Sequence, residues 1–532
     1  MTVTMNRYTG PAAQASEGWI VTRLTPPSRL YGANGLATGA DGRIYVAQVP
    51  GSLVSAVNPD SGAIDVISPM GGNITAPDDL VFDDAGNLYL TEITKGQVCM
   101  RRPNGDVSVV YGDIPVANPI TWHQGRLIAG ECRVGARIME LDLGGGAPRV
   151  IKSDIPMVNA FDVGPDGRLY APIMGTNEIW AINLESGAHE VIAGDLGVPD
   201  SVKFDNKGRI VTTQVMSGQV LRIDPQTGTR EMLADLGPGL DNVTFIGDRI
   251  FVSSIPGEIT EILAPGKTRS IIPRALQWPL GLAVGADGQV MIVDGGFSYT
   301  LSGAGQLDLS FMLFTPGGPG YARGVCAGSK PGEWIFTSGL GGVARFSPAS
   351  GAEAEWIAQG YDQLMGVATA GAAVIFAEYG TGQVHKADGG EVSTIATGLD
   401  KPTGVAVIGD SVYVAEVGAG RIVRLRRGSP VEAIADGLGR PEGLCASGGK
   451  LYAVDVRARA LLEVDPDSGA VTTIARDLPV GPPAGVASTR WLGPIGDMAG
   501  PMINFADVAA GPDGTLYVAA DAEGSVLAVR AG

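Results

Sequence analysis

Residues 402–425 read PTGVAVIGDSVYVAEVGAGRIVRL, and this stretch decides the fold. An apolar run from Gly404 to Val407 precedes a turn at Gly409-Asp410. An alternating β-rich run, Val412 to Glu416, leads to a second turn at Gly418 to Gly420, and a third run, Ile422 to Leu425, follows. Short β-rich runs bounded by Gly and Asp predict antiparallel strands joined by tight turns. A fourth run, Val431 to Ala435, completes a four-stranded meander. One such sheet has two faces to bury and open edges, so it needs copies of itself on either side.

The copies are present. Anchoring each unit on an apolar residue near the start of its first strand gives Leu36, Leu80, Trp122, Phe161, Val202, Val243, Leu282, Val325, Val367, Val405, Leu444 and Val508. The steps run from 38 to 44 residues, with one of 64 before the last unit. That is the period of a four-stranded propeller blade. The turn between third and fourth strands recurs as NPDSG (Asn58 to Gly62), DPQTG (Asp224 to Gly228) and DPDSG (Asp465 to Gly469). The fold class expected is therefore all-β, with twelve four-stranded blades. A ring ordinarily holds ~4–8 blades, so two six-bladed β-propellers are predicted, over residues 25–275 and 276–532. The last unit lacks a fourth strand, and residues 18–24 (GWIVTRL) are expected to supply it.

Composition fits an all-β chain with frequent turns: 79 Gly and 35 Pro in 532 residues, with 18% charged. The net charge of −18 argues against a nucleic-acid surface and favours neutral or cationic ligands. Met1 to Ser16 lacks an apolar signal core, and no apolar run is long enough to span a bilayer, so no membrane partner is expected. The four cysteines, Cys99, Cys132, Cys326 and Cys445, show no paired spacing, which predicts a reduced, cytoplasmic protein.

In a propeller the first strand lines the central channel, so residues at its start face one mouth. In the first half, two residues before each anchor, stand Asn34, Asp78, Ile120, Asn159, Asp200 and Asp241, with Asp79 and Asn242 one residue later. Asn118 lies two residues before Ile120, on the same strand face. Second-strand ends add Gln48, Glu92, Glu131 and Gln214. Carboxylates and amides around one axis make a hard-oxygen site suited to Ca²⁺ or another divalent cation. In the second half the same positions read Leu280-Gly281, Arg323-Gly324, Met365-Gly366, Thr403-Gly404, Glu442-Gly443 and Ala506-Asp507, which predicts a tight channel without a metal ring. Arg323 and Glu442, with Glu378, Glu416 and Asp455 at second-strand ends, form a second polar set. An insertion from about Pro479 to Asn504, carrying Trp491, Met498 and Met502, belongs on the mouth face as a lid or a packed loop.

The first half resembles the senescence-marker-protein/gluconolactonase family and, more distantly, the paraoxonases. The resemblance rests on VNAFDVGPDGRLY with Asn159, VPDSVKFDNKGRIV with Asp200, and LDNVTF with Asp241 and Asn242. It implies a cation held by Asn159, Asp200, Asp241 and Asn242, with Asp200 as general base, and channel position adds Asp78 and Asn34 to the ligand set. Asn34 stands where that family has Glu, and Ser201 follows Asp200 where it has Gly. Glu131 by position, and His123 as the histidine nearest the channel, complete the catalytic candidates. The second half resembles NHL-type and virginiamycin B lyase-like blades (PTGVAV, PEGLCA). The function expected is metal-dependent hydrolysis of a small lactone or ester. The alternatives are a metal-assisted lyase or isomerase acting on the same class of carbonyl, and a non-catalytic binding scaffold. A small-molecule substrate and a homodimer are the expected partners.

Overall fold

The computed structural model describes residues 7–302, 305–487 and 505–532. Among them the regular structure is β-strand, apart from one 3₁₀ turn at Pro348–Ser350. Twelve separate antiparallel sheets form, with strands side by side in chain order, so the all-β, twelve-blade reading holds. The tenth blade is the stretch quoted first: Pro402–Ile408, Ser411–Glu416, Arg421–Leu425 and Glu432–Ala435. No helix of the described residues is long and apolar enough to cross a membrane.

The described chain divides into two units, the first of Arg29–Arg274 with residues 484–487 and the second of residues 7–28, Ala275–Pro483 and 505–532. In the first, the innermost strands begin the sheets at Leu36–Thr38, Pro77–Phe82, Ala117–His123, Asp162–Val163, Pro199–Phe204 and Leu240–Ile246. Each touches the next and the sixth touches the first, so the ring closes. The second unit repeats this with Pro279–Val284, Ala322–Ala327, Leu364–Ala370, Pro402–Ile408, Pro441–Ser447 and Val508–Ala510. Its last sheet takes its outermost strand from Trp19–Arg23, which pairs antiparallel with Ser525–Ala531 from Trp19↔Ala531 to Arg23↔Leu527. Arg23 fastens it with a two-pronged contact to buried Glu523, at 2.8 and 2.9 Å. Gln14–Ala15 adds a fifth strand to the eleventh sheet, a pairing the repeat did not announce.

The core lies between blades. One apolar cluster joins the ninth and tenth sheets through Ile375, Ala377, Val384, Val405, Val414 and Val423. Another joins the first and sixth through Leu36, Ile44, Val46, Phe251 and Ile259, and so seals the first ring. The third-to-fourth strand turns follow from their side chains: Asn58 Oδ1 accepts the N–H of Asp60 and Ser61, and Gly62 takes a φ of 67°. Asp224 and Asp465 do the same.

A second repeated device fixes the loop leading into seven of the twelve blades. Its backbone N–H groups are buried and must find acceptors. The side chain ending the second strand supplies one: Gln48 to Tyr31 N (2.8 Å), Gln214 to Gly197 N (2.9 Å), Glu378 to Asp362 N (2.7 Å) and Glu416 to Asp400 N (2.8 Å). Glu92 accepts from Thr75 N in the same way. Asp294 takes Gln277 N and Trp278 N, and Asp455 takes Gly439 N and Arg440 N. These acids and amides, all but Asp294 read in the sequence as neighbours of the channels, are occupied as caps. Asp455→Asn keeps one acceptor and turns an amide donor onto the other N–H. Urea unfolding is expected to show a loss of about 1–3 kcal/mol, while an unchanged midpoint would remove the capping role.

Candidate functional site

In most blades the pairing of first and second strands skips near its start. Pro77 pairs with Glu92 but Leu80 with Leu90, leaving Asp78 and Asp79 in a bulge. The same skip separates Ala117 from Ile120, Pro199 from Val202 and Leu240 from Val243. This register corrects the third blade: its anchor is Ile120, not Trp122, and Asn118 therefore stands in line with Asp78. The equivalent residue is then Asn34, Asp78, Asn118, Asn159, Asp200 and Asp241, an oxygen-bearing side chain in every blade of the ring. None is more than 7% exposed.

The amides hold the carboxylates. Asn34 Nδ2 donates to Asp241 Oδ2 at 3.1 Å, Asn159 Nδ2 to Asp200 Oδ2 at 3.1 Å, and Asn242 Nδ2 to Asp79 Oδ1 at 3.2 Å. Asp79 also accepts the N–H of Leu80 and Ile120, so it clamps two neighbouring inner strands. Asp200 Oδ1, in contrast, is buried without a partner. Burial and then Asp79 push Asp78 up to about 8. Asp200 and Asp241 are held far above the usual carboxylate range, by burial first and then by Asp78 and Asp79, with Asp200 acting on Asp241 as well. Asp79 rises only to about 6, because Lys203, the two backbone N–H groups and Asn242 offset its burial.

Among the described residues, no three His, Cys, Asp or Glu side chains converge closely enough to hold a metal by themselves. A cation here would draw on asparagine carbonyl oxygens as well as carboxylates. An all-oxygen set of this kind, an orphaned buried Asp200 Oδ1 and an excess of buried negative charge fit a hard divalent ion.

The other two candidates lie elsewhere. Glu131 is buried and saturated by arginines: Arg137 Nε at 2.8 Å on one oxygen, and Arg133 Nε with Arg137 N, both at 3.0 Å, on the other. It has no lone pair free to act as a base. His123 ends its strand opposite Arg126, five residues and roughly 16 Å along the channel from Asn118. His189 is exposed and stacks on Trp180 at 4.0 Å. His385 is buried, with Nε2 2.9 Å from Glu378 Oε2, because its strand packs it against Tyr361 and Phe376.

Sequence reasoning passed over a collar at this mouth. The residue after the second strand is Val49, Ile93, Cys132, Met174, Val215 or Ile255, and all but Cys132 are buried. Asn159 Nδ2 reaches Met174 Sδ at 3.5 Å. The Cys132 thiol is raised by burial and by Asp78, Asp200 and Asp241. The signal for it was positional: one place beyond Glu131 in a repeat that is apolar there.

In the second ring, Glu442 takes the Asp78 position. Its Oε2 accepts Ala506 N at 3.0 Å, Oε1 lies 2.8 Å from Arg440 Nε, and burial pushes it to about 7. Arg323 is buried with its guanidinium 5.5 Å from the Tyr321 ring centre. Glu378, Glu416 and Asp455 are caps and do not join them. Of the insertion over 479–504, residues 488–504, including Trp491, Met498 and Met502, lie outside the described residues.

The acid ring sets a pH dependence. Asp78, Asp200 and Asp241 have native pKa values above those of the unfolded chain, so the native state binds more protons and stability falls as pH rises. In chelator the loss is expected from about pH 4, the unfolded carboxylate pKa, up to about 8 for Asp78. Each group that titrates in full costs about 1 kcal/mol per pH unit. Chemical unfolding at pH 5 and pH 8 checks this, and Asp78→Asn should flatten the slope.

No protein-family model matches the sequence, and a search of curated proteins gives no match. Among solved structures, a streptogramin B lyase aligns at 17% identity and a TM-score of 0.39, over 53% of this chain and 96% of the lyase. A protein assigned provisionally as a gluconolactonase aligns at 15% identity and a TM-score of 0.38, over 49% of this chain and 99% of its own.

Proposed function

We propose that the first ring is a divalent-cation-dependent hydrolase of small lactones or esters, with Ca²⁺ as the ion. One observation carries this reading: six register-equivalent Asp and Asn side chains around one channel mouth, with Asp200 Oδ1 buried and unpartnered. The ligands proposed are Asp78, Asp200 and Asp241 with the carbonyl oxygens of Asn34, Asn118 and Asn159. Asn242 is assigned instead to holding Asp79. When bound, a divalent cation supplies compensation for the buried charge and polarises a substrate carbonyl.

The protein's own groups do the rest. Asn159 Nδ2 occupies Asp200 Oδ2, so Oδ1 keeps two lone pairs, one that would face the cation and one that takes a proton from the attacking water. That water's oxygen bonds to the carbonyl carbon, the ester C–O bond breaks, and the proton passes to the leaving alkoxide, giving a hydroxy acid from a lactone. Asp79, tied to two backbone N–H groups and Asn242, keeps the bulges of neighbouring blades in register.

Two measurements test the reading. Metal analysis of the purified protein should find a tightly held Ca²⁺ whose removal lowers the melting temperature. Asp200→Asn should reduce lactone turnover by about 10²–10⁴-fold with the circular dichroism spectrum unchanged. Wild-type turnover in the variant would sink the assignment of Asp200. Products that carry no oxygen from ¹⁸O-labelled water would identify a lyase instead.

A further inference from the structure

The second ring holds a cavity of about 230 Å³ in its channel, lined by the innermost strands of all six blades. One residue after each anchor this ring carries Ala283, Cys326, Ala368, Ala406, Cys445 and Ala509, where the first ring carries Ala37, Val81, Thr121, Asp162, Lys203 and Thr244. Six small side chains at one level leave space that bulkier ones would fill. Cavities of about 150 Å³ accept a benzene-sized molecule, so a short alkyl chain has room here.

Asp507 is the one charged residue among the described residues of the lining. It repeats a device of the first ring. Asp79 stands one place before its anchor and accepts the N–H of that anchor, Leu80, and of the next blade's anchor, Ile120. Asp507 likewise accepts Val508 N at 2.9 Å and Leu282 N at 3.1 Å. The difference lies in what else meets the carboxylate. Asp79 also takes Asn242 Nδ2, four blades on, and is lowered by the charge of Lys203, three blades on in a closed ring of six. Counted in the same way from Asp507, those two places hold Gly404 and Ala368, and Ala368 is itself part of the cavity wall. Among the described residues no cation pairs with Asp507, and burial raises it to about 7.

We propose that the channel of the second ring binds a small primary alkylammonium ion, with its charged head on Asp507 and its hydrocarbon in the space between the small side chains. The ligand takes the part that Lys203 plays in the first ring: an ammonium on a short alkyl chain, here supplied from outside. A buried carboxylate without a counter-ion favours a positive occupant, since pairing offsets the cost of keeping its charge out of water. Walls of Ala, Val and Leu favour one that brings apolar surface with its charge. The proposal is independent of hydrolysis in the first ring, since it uses no residue of that site.

Saturation-transfer NMR on the full chain, with n-butylammonium as the probe and 1-butanol as its neutral match, tests the site. Butylammonium is expected to bind, and butanol to bind at least about 10-fold more weakly for want of the charge. Asp507→Asn should bring the two probes to equal affinity. Ala368→Lys should set a tethered ammonium in the channel, as in the first ring, and abolish butylammonium binding. Where a variant does not fold, the comparison of the two probes on the wild-type chain still decides. Equal affinity for both probes in the wild type, or no binding of butylammonium at all, would overturn the proposal. Butylammonium binding that survives both substitutions would place the amine outside this channel and overturn it equally.

Discussion

Each sheet in this protein has two apolar faces, and the neighbouring blade is what buries them. Every other feature depends on that requirement. The clusters run across blade boundaries, as between Val384 and Val414 or between Val46 and Phe251, so a blade without both neighbours would leave a face in water. Hydroxyls add directional ties at the same boundaries. Thr91 donates to the Asn118 carbonyl of the next blade, Ser253 to that of Asn34, and Thr213 to that of Asp241. These bonds end on the residues that ring the first mouth, so blade packing and site geometry are one problem.

The two rings solve it differently at a single level. In the second, the residue before the anchor is glycine in five blades, and the structure shows why. A Cβ on Gly281 would meet the Arg323 carbonyl oxygen at 2.5 Å, and one on Gly404 the Glu442 carbonyl oxygen at 2.5 Å. Backbone there approaches backbone. In the first ring the same place holds Gly35, Pro119 and Ala160 in three blades, where a Cβ on Gly35 would likewise meet the Asp78 carbonyl oxygen at 2.5 Å, and Asp79, Ser201 and Asn242 in the other three, whose side chains bond to other strands. At this level the second ring closes mainly by backbone contact and the first adds polar bonds, and the first gathers the carboxylates.

The architecture was legible because it is written twelve times. Period, turn residues and strand alternation agree in each unit, and one irregular unit cannot hide the rest. The site was legible in part. Its six positions follow from the repeat, but the third was misplaced because Trp122 imitates an anchor two residues late, and only the skip between Ala117 and Ile120 restores Asn118. The strand-end acids were misread for a different reason. A carboxylate beside a channel and a carboxylate capping a buried N–H look the same in one dimension, and Asp455 or Glu416 differ from Asp200 only in where backbone donors sit. Cys132 and Lys203 gain meaning from neighbours that lie one or more blades away.

The pairing of Trp19–Arg23 with Ser525–Ala531 also governs the order in which the molecule can be made. Arg23 and Glu523 are 500 residues apart, which a ribosome covers in about 25–100 s at ~5–20 residues per second. The first ring has all its strands within Arg29–Arg274 and can close while the remainder is being synthesised. The segment ahead of it cannot settle until the last strand is released. Residues 19–23 thus stay without their partner strand until 525–531 have been made, long after the strands of the first ring are in place.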